Sequence, residues 1–156
     1  MVLDQQELSE KLIEEFGRQI LVPGINEEGQ KNISRKKICI IGLGALGTVA
    51  SQYLVRAGVG EVHLVDHDII EKSNLHRQIN YDKDDVGKSK SNTSKHKLKN
   101  INDSTIIKEH SLNFESFIKK NTDNNFDLIF ECTDNHQNKI FSSKYCKANK
   151  ISFVSI

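Results

Sequence analysis

Lys37-Ile38-Cys39-Ile40-Ile41-Gly42-Leu43-Gly44-Ala45-Leu46-Gly47 is the stretch on which the reading of the fold rests. Ile38 to Ile41 form a short, β-branched, wholly apolar run, the signature of a strand buried on both faces. Gly42-x-Gly44-x-x-Gly47 follows at once. It opens into Ala45–Ala57, a small-residue-rich helical segment stopped by Gly58 and Gly60. Each glycine has a mechanical reason. Gly42 permits a tight turn, Gly44 lets the backbone approach a phosphate, and Gly47 lets the helix lie close to the strand. The helix start then offers free N–H groups and a positive dipole end to an anion. The pattern alone also fits a plain turn; its place between strand and helix favours nucleotide binding.

Working outward, strands and helices alternate. Glu61–Asp66, Thr105–Lys108, Phe126–Glu131 and Ile151–Ile156 read as further strands. Lys88–Asn100, Phe114–Lys120 and Asn135–Asn149 read as helices. Asp68–Val86 has no clear period and reads as a loop with a short helix. Ahead of the first strand, Leu8, Leu12, Ile13 and Phe16 have the spacing of an amphipathic helix over Glu7–Gln19. Pro23-Gly24 breaks it, and Lys31–Ser34 reads as one more helical turn. The expected fold is therefore α/β, a Rossmann-like, doubly wound and mainly parallel sheet. Residues 1–34 form an N-terminal helical arm and residues 35–156 the nucleotide-binding unit. The chain stops inside an apolar strand, so the fold looks truncated after its fifth strand, with an apolar edge either exposed or covered by a partner.

Composition removes several classes. The 22 Lys and Arg against 21 Asp and Glu leave a formal net charge of +1, which calls for neither nucleic acid nor an anionic membrane. No apolar run approaches the roughly 20 residues that span a bilayer. Met1–Glu7 lacks a signal-peptide pattern, so a cytoplasmic location is expected. The three cysteines, Cys39, Cys132 and Cys146, form no Cys-x-x-Cys pair and read as buried thiols.

Asp66 ends the second strand nineteen residues beyond Gly47, where an acid accepts hydrogen bonds from ribose hydroxyls; a helix cap or surface acid is the plain alternative. Asp68 is a helper or a turn residue. So far a nicotinamide enzyme and an ATP enzyme fit equally. Ser73-Asn74-Leu75-His76-Arg77-Gln78 separates them, because a dehydrogenase has no need of Asn, Arg and Gln clustered there. An ATP site has: the Arg fork matches phosphate oxygens. On chemistry alone Arg77 also fits a solvated surface residue.

With these segments in hand the chain resembles the adenylyltransferases of molybdopterin-synthase and thiamine biosynthesis, the ThiF/MoeB/HesA family, which are relatives of the ubiquitin-activating enzymes. Gly17-Arg18-Gln19-Ile20, Gly24 with Gly29-Gln30, Gly42–Gly47, Ala57-Gly58-Val59-Gly60, Asp66-His67-Asp68, Ser73–Gln78, Val86–Lys90 and Cys132-Thr133-Asp134-Asn135 carry the likeness. They correspond to the N-terminal part of a usual member.

The resemblance implies an enzyme that uses ATP and Mg2+ to adenylate the C-terminal carboxylate of a ubiquitin-like sulfur carrier protein. It implies that Arg77 and Lys90 bind the triphosphate and that Asp134 holds magnesium. Asp66 takes the ribose beside Asp68, and Asn74 and Gln78 support the phosphates and the loop. Gly42, Gly44, Ala45 and Gly47 cradle the nucleotide, Ala45 standing where many relatives have glycine. Arg18 serves the neighbouring subunit's ATP in a homodimer. Ser89 replaces a common proline, and Lys90 rather than Lys88 aligns with the motif. The zinc site of longer relatives lies beyond this portion and is not expected here. Two alternatives stand beside this reading: a short nucleotide-binding relative without turnover, and an NAD-dependent oxidoreductase.

Overall fold

The computed structural model describes residues 5–120 and 125–156, with side chains from Leu12 onward. Met1–Asp4 and the side chain of Leu8 lie outside the described residues. Five parallel strands, β1 (Lys37–Ile41), β2 (Glu61–Val65), β3 (Ile106–His110), β4 (Leu128–Glu131) and β5 (Ser152–Ser155), form one sheet in the order β3-β2-β1-β4-β5. The chain runs outward from β1 to β3, then returns to the other side of β1 to lay down β4 and β5. The direction therefore reverses between β1 and β4, and that is where an open α/β sheet has its crevice.

The two faces follow from the alternation of side chains along each strand. Ile38, Ile40, Val62, Leu64 and Ile107 point to one face, where they pack with Val55 of α3 (Ala45–Arg56) and Leu98 of α4 (Lys90–Lys99). Cys39, Ile41, Val65 and Ile129 point to the other. There they meet Phe114 and Phe117 of α5 (Phe114–Lys120) and Cys146 of α6 (His136–Asn149). The expected doubly wound α/β sheet is the one observed. Among the described residues no helix is long and apolar enough to cross a membrane.

Before β1 lie α1 (Gln5–Ile20) and α2 (Asn26–Ile33). The apolar stripe read on the first helix is only partly buried, because Ile13 is 51% exposed. The helix is broken at Phe16, whose φ of −123° and ψ of 16° are non-helical. Its ring lies over Gly58, where an added Cβ would come within 2.5 Å of Phe16 Cζ. The single turn expected at Lys31–Ser34 is a full helix. Its sequence lacks an apolar period because Gln30 is its one buried residue. Gln30 Nε2 donates to the Ala57 carbonyl at 2.9 Å and Gln19 Nε2 donates to the same oxygen at 3.0 Å. Two amides thus fasten both helices to the end of α3. The Asp68–Val86 segment holds two 3-10 turns, Lys72–Asn74 and Lys83–Asp85, in place of one short helix. Among the described residues β5 pairs only with β4, and Val154 and Ile156 are 39% and 49% exposed.

On the α5 side of the sheet, Glu61, His63 and His110 form a polar chain inside an aromatic cluster. His63 Nε2 lies 2.6 Å from Glu61 Oε1, and His110 Nε2 lies 3.1 Å from His63 Nδ1. The two imidazoles stack, and Phe117 and Phe126 close round them. Burial pulls the pKa of His63 down. Burial and the neighbouring His63 pull His110 down to about 4. Burial works to raise Glu61, but hydrogen bonds from Lys108 and His63 outweigh it and hold the carboxyl at about 2.

These shifts set an acid limit on the fold. A folded state with depressed His pKa values binds fewer protons than the unfolded chain. The pair's contribution is therefore complete above pH ~6.5 and is lost as the pH falls towards ~4. Urea unfolding between pH 7 and 4.5 is expected to show a loss on the order of 2 kcal/mol, beginning well above the carboxylate range. In His110→Phe the loss over this range should be smaller, because only the share of the buried His63 remains. A stability flat from pH 7 to 5 would show that the pair is not desolvated.

Candidate functional site

A cleft of about 770 Å³ opens at the carboxyl ends of β1, β2 and β4. That size accommodates a nucleotide. Its floor is the glycine loop, and three contacts show why the loop has this sequence. Gly42 has a φ of +84°, a backbone region that other residues avoid. A Cβ on Gly47 would sit 1.9 Å from the Gly42 carbonyl oxygen, so α3 can approach β1 only through glycine. At Gly44 the nearest atom to an added Cβ is Gln78 Nε2, 3.9 Å away, so this backbone faces open space. Turn, packing and approach therefore fall to Gly42, Gly47 and Gly44 as the spacing predicts. Ala45 starts α3 at the cleft wall.

The peptide of Leu43 is gripped at both ends. Its N–H donates to Asp66 Oδ2 at 2.7 Å, and its carbonyl accepts from Tyr81 Oη at 3.0 Å. Burial pushes the Tyr81 phenol above its usual range, so it stays a donor. Asp66 Oδ1 also accepts from the Asp68 N–H at 2.8 Å. Asp66 is thus neither a helix cap nor a bare surface acid. It ties the glycine loop to the end of β2 and still lines the cleft with both oxygens able to accept again.

The polar residues singled out after β2 converge here. Asn74, Arg77, Gln78, Asp68, Lys90 and Asp134 all line the cleft. Lys90, on the first turn of α4, donates Nζ to Asp68 Oδ2 at 2.8 Å, and its N–H donates to the Asp68 carbonyl at 3.0 Å. Asp68 is thus the resting partner of Lys90. Lys90 is buried while Asp68 is half exposed, so the outer partner of the pair is the one open to solvent and to the cleft. Arg77 is exposed and held from behind, Nη1 donating to the Ser73 carbonyl at 2.8 Å. Asn74 is buried and turns its Oδ1 back to the Glu71 N–H at 3.0 Å, closing the loop that carries Arg77. Gln78 is 3% exposed and its Oε1 has no hydrogen-bond partner. An orphaned amide oxygen costs about 1–3 kcal/mol. Its NH2 end already faces the space beside Gly44, where it can donate to an anion.

Asp134 enters from the opposite wall, on the turn between β4 and α6. It is exposed, and it makes no hydrogen bond or ion pair to another described residue. A free carboxyl aimed into a phosphate-sized cleft is the donor type magnesium takes, usually with water and phosphate oxygens completing its shell. Asp66, His67 and Asp68 also bring ligand atoms within 4.8 Å of one another. Asp68 there already carries Lys90, and Asp66 already carries two backbone N–H groups.

Arg18 is not brought to this cleft. It is exposed on α1 and borders a separate shallow depression with Phe16, Gln19 and Arg56. Lys88 is bound to Asp85 at 3.3 Å, outside the cleft that Lys90 lines. All three cysteines are free and buried, and burial pushes Cys132 and Cys146 up to about 11, so they are packing thiols. Two residues at the site are not legible from the motifs. Tyr81 lay in a loop without period. Glu131 read only as a strand end, although a charge closing a buried strand always needs partners.

The chain matches the ThiF family over residues 16–155. It is 40% identical over 90 residues to a sulfur carrier protein adenylyltransferase of Thermus thermophilus, covering 58% of this chain and 33% of the relative. It is 38% identical over 99 residues to an adenylyltransferase and sulfurtransferase MOCS3 of Drosophila sechellia, covering 64% of this chain and 22% of the relative. The chain thus spans a third or less of these curated relatives. Among solved structures, the tRNA N6-threonylcarbamoyladenosine dehydratase TcdA of E. coli in complex with ATP aligns with a TM-score of 0.84 at 23% identity. That alignment covers 99% of this chain and 61% of the other, and it establishes a shared fold.

Two substitutions separate packing from approach in the glycine loop. Gly47→Ala drives a methyl group into the Gly42 carbonyl and is expected to destabilise by about 3 kcal/mol or more. Gly44→Ala places its methyl in open space, so it should keep stability within about 1 kcal/mol while weakening nucleotide binding roughly tenfold. Thermal unfolding and nucleotide titration of the two variants check this. A Gly47→Ala variant as stable as the parent would contradict the close approach of α3 to β1.

Proposed function

The chain belongs to the ThiF family, and from that premise we propose that it is the nucleotide-binding part of an ATP-dependent adenylyltransferase. Its substrate in this reading is the C-terminal carboxylate of a ubiquitin-like sulfur carrier protein. One observation carries the proposal. Arg77, Lys90 and Asp134, from three separate segments, face a single cleft over the glycine loop. A nicotinamide ring needs no such set of phosphate-directed charges. The names of the Thermus and Drosophila relatives support adenylation, and the Thermus relative's also names the carrier class.

In this mechanism the carrier carboxylate attacks the α-phosphorus of ATP. A new O–P bond forms, the bond from the α-phosphorus to the bridging oxygen breaks, and pyrophosphate leaves with that electron pair. An acyl-adenylate results, and its mixed anhydride gives the carboxyl carbon a good leaving group. No proton has to move at the carboxylate, so the work is positioning and neutralising charge. Gly44 and the first N–H groups of α3 hold phosphate oxygens. Lys90 exchanges Asp68 for a phosphate, and the Arg77 fork takes a second. Asp66 accepts from the ribose while still pinning Leu43. Magnesium held by Asp134 would neutralise the departing pyrophosphate. In the same reading the enzyme is a cytoplasmic homodimer, and Arg18, which lies away from its own cleft, serves the ATP of the other subunit.

The rivals predict different behaviour. Nucleotide binding without turnover by this portion gives ATP affinity but no exchange. An oxidoreductase binds NAD and ignores ATP. Pyrophosphate exchange, with magnesium and a carrier ending in Gly-Gly, tests the proposal in the longest form of the protein that carries this chain. Exchange is expected, and Arg77→Ala, Lys90→Met and Asp134→Asn should each reduce it by roughly 100-fold or more, about 3 kcal/mol of transition-state stabilisation. Exchange unaffected by all three would reject this site as the catalytic one.

A further inference from the structure

Glu131 closes β4 with its side chain 0% exposed, and the reaction just described gives it no task. Its oxygens are nevertheless fully engaged. Oε1 accepts from the Thr133 N–H at 3.0 Å and from the Thr133 hydroxyl. Oε2 accepts from Ser155 Oγ at 3.3 Å, and Lys139 Nζ lies 3.8 Å away. Removing a carboxyl from water is costly unless its lone pairs are met. Here they are met chiefly by the turn that carries Asp134.

The bonds continue from residue to residue. Thr133 Oγ1 donates to Glu131 and accepts from the Asn135 N–H at 3.3 Å. Asn135 Oδ1 accepts from the N–H groups of Gln137 at 2.9 Å and Asn138 at 3.1 Å, capping α6. Asp134 sits inside this chain of bonds and is the member left without a partner among the described residues. Thr133 also touches the glycine loop, since a Cβ on Gly42 would come within 2.8 Å of Thr133 Cγ2. A group that fixes Thr133 therefore fixes the spacing between the two walls of the cleft.

We propose that Glu131 is a positioning residue: through Thr133 and Asn135 it holds the turn in which the Asp134 carboxyl faces the glycine loop, in place to take a divalent cation on bound phosphate. The assignment rests on the adenylyltransferase reading for the cation and on geometry alone for the turn. Gln at this position keeps one carbonyl oxygen for both Thr133 donors. An aliphatic side chain keeps none.

Two measurements on this chain test the two parts separately. The first is amide hydrogen exchange without ligand. Glu131→Leu should speed exchange at Thr133, Asn135, Gln137 and Asn138 at least tenfold, with Ile38–Ile41 of β1 unchanged and Glu131→Gln close to the parent. No change at Thr133 and Asn135, or an equal rise throughout β1, would overturn the positioning role whatever the nucleotide chemistry. The second is ATP binding with and without magnesium. Glu131→Leu should weaken binding with magnesium at least tenfold while altering magnesium-free binding less than twofold, and should add nothing in an Asp134→Asn background. Equal losses in both conditions, or losses that add to those of Asp134→Asn, would overturn the link to Asp134. If the parent chain binds ATP without regard to magnesium, the link falls together with Asp134's cation role, while the exchange result still decides whether Glu131 holds the turn.

Discussion

The hydrogen bond from the Leu43 N–H to Asp66 Oδ2 is the contact on which the rest of the site depends. It joins the turn after β1 to the end of β2 at the edge of the crevice. Asp66 is itself held from behind, its N–H donating to the His110 carbonyl at 3.1 Å. The ends of β1, β2 and β3 are thus linked through one residue, its carboxyl reaching the turn after β1 and its backbone N–H reaching β3. A charge-assisted bond of this kind contributes about 1.5–3 kcal/mol, enough to decide the loop's shape. With Leu43 fixed, Gly44 faces the cleft and α3 begins where its free N–H groups can meet an anion.

The other cleft wall is set by an analogous device on the far side of β1. There Glu131 closes β4, and Thr133 transmits its hold towards Gly42 and Asp134. Two acids at the ends of the strands that flank β1, Asp66 after β2 and Glu131 on β4, shape the crevice before any ligand enters. The charged residues that remain adaptable are those with weak or partial engagement. Lys90 rests on a half-exposed Asp68, Arg77 is anchored by one nitrogen, and Asp134 has no partner among the described residues. Such a division is what phosphate chemistry asks for: a rigid backbone cradle with movable charges around it.

Much of this was legible in the sequence because it depends on local pattern. The apolar runs at Ile38–Ile41 and Phe126–Glu131, the glycine spacing and the breaks at Gly58 and Gly60 placed nearly every element within a residue or two. The cleft residues Arg77, Lys90 and Asp134 came from motif and order, and the fold gathered them. What escaped was carried by buried polar bonds between distant segments. α2 has no apolar period, since it is held by Gln30 reaching the Ala57 carbonyl. Tyr81 anchors Leu43 from a loop without pattern, and Glu131 looked like an ordinary strand end. Hydropathy registers burial and is blind to a carboxyl or amide buried because its donors await it in the fold. The exposure of Ile13 is the converse, an apolar residue at helical spacing that the core does not use.

The central claim is that the crevice between β1 and β4 binds ATP rather than a nicotinamide dinucleotide. Competition observed at the backbone amides of Leu43, Gly44 and Asp134 by heteronuclear NMR addresses it most directly. Saturating ATP with magnesium should shift all three signals, and an excess of NAD should fail to displace it. Shifts of the same amides by NAD alone, with ATP neither binding nor competing, would contradict the account.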